Sequence, residues 1–136
     1  MIRQLLPILF YLLAIIHILP TLSGLSRNRL AGLYGISADD KTLMTLLQHR
    51  AFLFGLVATA CIYAAHNPAG RWSVLIGTTI SMASFILIAI PRGQLSGPLS
   101  KIAYVDGLGL IIAAILAVLL VRSLSLIHIS EPTRPY

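Results

Sequence analysis

Four long apolar runs, separated by short polar or breaker-rich connections, constrain this 136-residue chain more than any motif does. The runs are Leu5–Leu25, Phe52–Ala65, Trp72–Ile90 and Ile102–Val121. A helix needs about 20 predominantly apolar residues to cross a bilayer. The second run gains its length on the N-terminal side, where Leu43, Leu46, Leu47, Arg50 and Phe54 recur at helical spacing. The pattern therefore predicts helices over about 5–25, 40–65, 72–90 and 102–121. Only 10% of the residues are charged, against about 25% in an ordinary soluble domain. Mean hydropathy is +0.90. A soluble chain of this length could not hide so much apolar surface, because small domains bury only part of what they expose. The expected fold is all-α, an integral membrane four-helix bundle with antiparallel up-down topology, occupying residues 1–123.

The first run reads as a retained span rather than a cleaved signal. It exceeds the apolar core of about 7–15 residues typical of a signal, carries His17 and Pro20, and ends in a poor cleavage site around Ser23-Gly24. Pro20 is expected to end or kink the helix, since it removes a backbone donor. Between Ser26 and Lys41 the patch Leu30–Ile36 is too short to span and suits a short interfacial helix, with Tyr34 at headgroup depth. Ser37 followed by Asp40 resembles the start of the next helix. Asn67-Pro68-Ala69-Gly70 is a tight turn, and Pro91–Pro98 is a loop by its breakers. Gly77, Ser81 and Ser84 make a small polar stripe on the third run, suited to close helix contact. On the fourth, Gly109, Ala113 and Ala117 form a small-xxx-small seam on which a helix, a second copy or another membrane protein can pack.

Leu124–Tyr136 does not belong with the rest. Leu124-Ser-Leu-Ile-His-Ile-Ser-Glu-Pro-Thr-Arg134 looks like the in-frame translation of a transposase adapter used to build sequencing libraries. The expectation is that 124–136 is not native, that His128, Glu131 and Arg134 carry no function, and that the natural C-terminus lies elsewhere.

A net charge of +6 would suggest nucleic acid in a soluble protein. Here the basic residues fall between apolar runs, where they set topology and meet lipid headgroups, so the expected partner is the bilayer and not nucleic acid. Arg27, Arg29, Lys41, Arg50, Arg92 and Lys101 fall on the side of the first and third connections, against Arg3, Arg71 and Arg122 on the other. The positive-inside rule then places those two connections in the cytoplasm and both termini outside. Cys61 is the single cysteine, which removes an intrachain disulfide, a CxxC pair or a thiolate cluster.

Topology gathers His17, His49, Arg50 and Asp106 near one membrane face. Ionisable groups at such depth are expensive and are normally paired or functional. An Arg50–Asp106 ion pair at the mouth of the bundle is the expectation, beside simpler roles: snorkelling for Arg50 and helix capping for Asp106. His66 reads as a surface residue, and Tyr11 and Tyr104 as packing or interface anchors. No H-E-x-x-H, G-x-S-x-G or phosphate-loop pattern occurs, and the adjacent Asp39 and Asp40 cannot face each other on a helix. No catalytic residue, cofactor or metal ligand is indicated.

The order R-x-x-x-L-Y-G (Arg29 to Gly35), H-R-A-x-L-F-G (His49 to Gly55) and D-x-x-x-L (Asp106 to Leu110) resembles small bacterial inner-membrane proteins of the DoxX-like four-helix group. The resemblance covers about residues 1–123 and implies a multipass protein of the bacterial inner membrane with no assigned activity. Similar proteins are sometimes labelled phosphopantetheine adenylyltransferase, a soluble enzyme whose phosphate site uses a G-H pair. This chain has no such pair and no alternating strand–helix pattern.

Three functional expectations follow. The first is a structural or accessory membrane subunit. The second is a small oligomeric transporter or channel using His17, His49, Arg50 and Asp106; small multidrug exporters of comparable size carry a glutamate in the first helix that is missing here. The third, a four-helix membrane glutathione transferase, is disfavoured because Gln48-His49-Arg50 does not meet that family's Arg/Asn/Glu pattern.

Overall fold

A computed structural model describes the backbone of residues 2–129 and the side chains of 4–123. Over these residues the chain is helical, without strands: α1 (Ile2–Gly24), α2 (Arg27–Tyr34), α3 (Lys41–His66), α4 (Arg71–Ala89) and α5 (Ser100–Ile129). Single 3-10 turns, Pro68–Gly70 and Ile90–Arg92, lead into and out of α4. Four segments, Gln4–Gly24, Lys41–His66, Pro68–Arg92 and Ser100–Ser123, are long and apolar enough to cross a membrane. They match the four expected spans to within a few residues.

Several boundaries differ from expectation for identifiable reasons. Pro20 does not end α1, which runs on to Gly24. Beside it the Thr21 hydroxyl donates to the His17 carbonyl (3.0 Å) and to the Ala51 carbonyl of α3 (3.0 Å), the kind of side-chain support that lets an apolar helix carry proline. The cap of α3 is Asp40, accepting from the Leu43 N–H at 2.9 Å, whereas Ser37 is engaged with Asp39 in the preceding turn. At its far end α5 continues past Val121 to Ile129, because Ser123-Leu-Ser-Leu-Ile-His-Ile holds no helix breaker. The adapter-like segment thus begins inside α5. Its side chains, and all of 130–136, lie outside the described residues.

α1 is the centre of the assembly, packing chiefly on α3 and also on α5, while α4 packs chiefly on α5. Its inward positions Leu6, Phe10, Leu13, Ala14 and His17 follow helical periodicity and are all buried. α1 and α3 approach so closely that a Cβ on Gly24 would collide with the Ala51 Cβ. The seam on α5 packs as its small residues allow: Gly109 and Ala113 are buried, Ala117 is half-buried against the core, and Gly109 abuts Met82 of α4. The stripe on α4 does not mediate close contact. Gly77 is exposed with open space beside it, and Ser81 and Ser84 line a groove.

The outward faces are strongly apolar. Ile8, Leu19, Leu56, Ile80, Leu87 and Ile111 are all exposed. Soluble monomers rarely carry contiguous apolar surface on this scale.

Candidate ligand cavity

At the end of the molecule where α1 finishes and α5 begins, the helices part around a cavity of about 260 Å³. Its polar or charged lining comes from His17 and Ser23 of α1, Tyr34 of α2, and Lys101 and Asp106 of α5; Phe54 of α3 closes one side. The rest of the wall is largely apolar, including Ile16, Leu33 and Ile102.

α2 is built to hold Tyr34 there. Ser26 caps its start by accepting from the Arg29 N–H at 3.5 Å. Gly35 ends it in the left-handed region (φ 64°), its N–H returning to the Ala31 carbonyl. A side chain on Gly35 would meet Pro98 at 2.6 Å, so the helix end is seated on the segment that leads into α5. Leu30, Ala31, Tyr34 and Met44 form their own small core against Leu99 and Ile102.

His17 is 2% exposed. Its Nδ1 lies 2.8 Å from the Leu13 carbonyl oxygen. A carbonyl can only accept, so Nδ1 carries the hydrogen, and in the neutral form of the ring Nε2 is then an acceptor. Nε2 has no hydrogen-bond partner among the described residues, and neither do the Asp106 carboxylate and the Tyr34 hydroxyl. None of these atoms is sealed in, since no fully buried side-chain nitrogen or oxygen lacks a partner. The cavity they line supplies the opening. Asp106 and Tyr34 are each only 9% exposed. Burial raises the Tyr34 phenol above its ordinary range; the positive charge of Arg50 opposes that rise and the negative charge of Asp106 adds to it.

Arg50 does not form the expected ion pair: among the described residues it makes no direct contact with Asp106 and acts on it through space. Its guanidinium sits 5.3 Å from the ring centres of both Phe54 and Phe85. Aromatic faces attract such a cation by their quadrupoles. Arg50 lines a separate groove of about 320 Å³ between α3 and α4, with Ser81 and Ser84. Phe54 lies between the two spaces, with its ring 5.8 Å from that of His17 on one side and Arg50 over its other contact.

Of the four residues grouped from the sequence, His17 and Asp106 meet in the cavity and Arg50 stands behind Phe54. His49 is exposed and is not part of the lining; one residue before Arg50, it projects about 100° away around the helix. Tyr34, Phe54 and Lys101 line the cavity without belonging to the group that topology gathers. The only sequence signals were the Leu33-Tyr34-Gly35 patch and the position of Phe54 one turn after Arg50. Among the described residues no group of three or more His, Cys, Asp or Glu could hold a metal ion. Comparison with family models, with characterised proteins and with solved structures finds no match to this chain.

Proposed function

We propose that this chain is a multipass protein of the bacterial inner membrane, an antiparallel four-helix bundle acting as an accessory subunit that holds a small apolar ligand within the membrane. The observation that carries this reading is the cavity lined by His17, Tyr34 and Asp106, whose Nε2, hydroxyl and carboxylate have no hydrogen-bond partner among the described residues. These residues are nearly buried, and the polar atoms that lack a protein partner keep their access through the cavity, where an occupant can answer them. The exposed apolar faces support the membrane placement, and the DoxX-like motifs support the bacterial inner membrane. The bias of basic residues supports a cytoplasmic position for the α1–α3 and α4–α5 connections. Gly109, Ala113 and Ala117 pack inside the chain, so a homo-oligomer or partner subunit would use the remaining apolar faces.

Native mass spectrometry of protein released from its membrane tests the reading. Wild type should retain a small molecule that an Ile102→Trp variant, with the cavity filled, releases. Absence of any bound molecule from wild type, under conditions where structural lipid is retained, would count against it.

A transporter or channel is the second reading, favoured by the placement of Phe54 as the wall common to the cavity and the Arg50 groove. A side chain swinging at that position would join the two spaces. Proton flux in proteoliposomes that disappears in Asp106→Asn would support it, and a silent wild type would remove it.

A further inference from the structure

The cavity is specific in the kind of hydrogen bond it leaves unmade. In the neutral ring His17 Nε2 is an acceptor, because the Leu13 carbonyl fixes the one hydrogen on Nδ1. Asp106, when ionised, can only accept. Tyr34 can do either, and the Ser23 hydroxyl already donates to the Leu19 carbonyl at 3.2 Å, leaving its lone pairs. Three of these four groups therefore offer lone pairs to the same space. Among these four the unmet need is for a donor, and Lys101, the lining's own donor, is exposed and makes no hydrogen bond to any of them.

Charge narrows the choice. An anion would meet Asp106 directly. A cation would meet Lys101 on the lining and the field of Arg50 from behind Phe54. One negative and two positive groups leave a neutral molecule as the least opposed occupant. Size narrows it further. A cavity of about 150 Å³ accommodates benzene, so by proportion a space of about 260 Å³ takes about ten non-hydrogen atoms. The apolar walls call for hydrocarbon in all but one or two of them.

We infer that the cavity binds a neutral, mostly hydrocarbon molecule bearing one hydroxyl, phenol or alcohol, whose O–H donates to His17 Nε2 while the Tyr34 hydroxyl donates to the same oxygen and Asp106 accepts from a neighbouring water. This rests on the reading of the cavity as a ligand site and adds the chemistry of the ligand.

The test uses the full chain in lipid nanodiscs with three probes of nearly equal size: 4-butylphenol, butylbenzene and 4-butylbenzylamine, compared at equal concentration in the lipid. Binding is followed by the ring nitrogen resonances of ¹⁵N-histidine, with His17 assigned by comparison with His17→Phe. The phenol should bind about tenfold more tightly than butylbenzene, the difference of about one net hydrogen bond, and should move the His17 Nε2 resonance while butylbenzene does not. In His17→Phe the phenol should lose that advantage. If His17→Phe does not fold, the wild-type resonance alone still decides the case. Equal binding of phenol and butylbenzene would overturn the hydroxyl assignment and leave the ligand site standing. Tightest binding of the amine would overturn it in favour of a site governed by Asp106. Failure of all three probes to bind would overturn the hydroxyl assignment and the ligand-site reading together.

Discussion

The two ends of this bundle solve the same packing problem differently. At the end where α3 passes into α4, Leu6, Phe10, Leu13, Leu116 and Leu120 interlock with Ala58, Ala64 and Ala65 in one continuous core. Polar groups there are answered locally. Arg71 donates from Nε to the Ala64 carbonyl (3.1 Å) and from a terminal nitrogen to the Ala65 carbonyl (3.3 Å), closing the C-terminus of α3, and the Tyr11 hydroxyl bonds the His66 ring. At the other end His17, Tyr34 and Asp106 are also buried but line the cavity. One end answers its polar groups within the protein; the other leaves them facing the cavity. Two arginines make the same point, since Arg71 is held by carbonyls whereas Arg50 is held by two aromatic faces.

The largest test of that contrast is a pair of truncations. Phe10→Ala, at a 0% exposed position in the sealed end, should destabilise the fold by about 3 kcal/mol, since a tightly packed site collapses poorly around a void. Ile102→Ala, which only enlarges an existing cavity, should cost about 1 kcal/mol by the same reasoning. Denaturation by SDS in mixed micelles measures both. Equal losses would show that the two ends are packed alike. A second pair contrasts the arginines. Arg71→Ala unties two helix-end carbonyls and should cost about 2 kcal/mol at about 1 kcal/mol per net hydrogen bond. Arg50→Ala loses two cation–π contacts and should cost about 1 kcal/mol. A larger loss at Arg50 than at Arg71 would mean that its coupling to Asp106 dominates the aromatic contacts.

How much of this was legible in the sequence follows the same division. Hydropathy alone located the four long helices, because a run of about twenty apolar residues leaves the backbone few alternatives to helix. Spacing placed Asp106 at the head of the Gly109–Ala113–Ala117 seam, and its burial follows from that register. The partner of Arg50 was not legible. Nothing in a linear pattern distinguishes a guanidinium reaching a carboxylate from one stacked between Phe54, on its own helix, and Phe85, on the next. Nor was Tyr34. Its burial depends on how α2 folds back over α5, which Gly35 and Pro98 settle through a tertiary contact. The small polar stripe of Gly77, Ser81 and Ser84 misled for a related reason: small residues permit close approach, but α4 turns its packed face to α5 instead.

The smallest expected effect probes the electrostatics of the open end. Tyr34 lies outside the four long apolar helices, and burial raises its phenol above the ordinary value of 10. The neutral form is the one the fold favours. Its stabilising contribution is therefore fully present below about pH 10 and disappears only as pH rises through the higher folded-state value. Phenolate absorbance of wild type minus that of Tyr34→Phe isolates this residue from the other tyrosines. Because the charge of Arg50 favours the phenolate and that of Asp106 disfavours it, Arg50→Gln should push the transition to still higher pH and Asp106→Asn should bring it down. Opposite movements would place both charges within electrostatic reach of the Tyr34 hydroxyl across the cavity. A Tyr34 that titrates in the ordinary range, indifferent to either change, would mean that this end is flooded with water and differs from the sealed end by solvation alone.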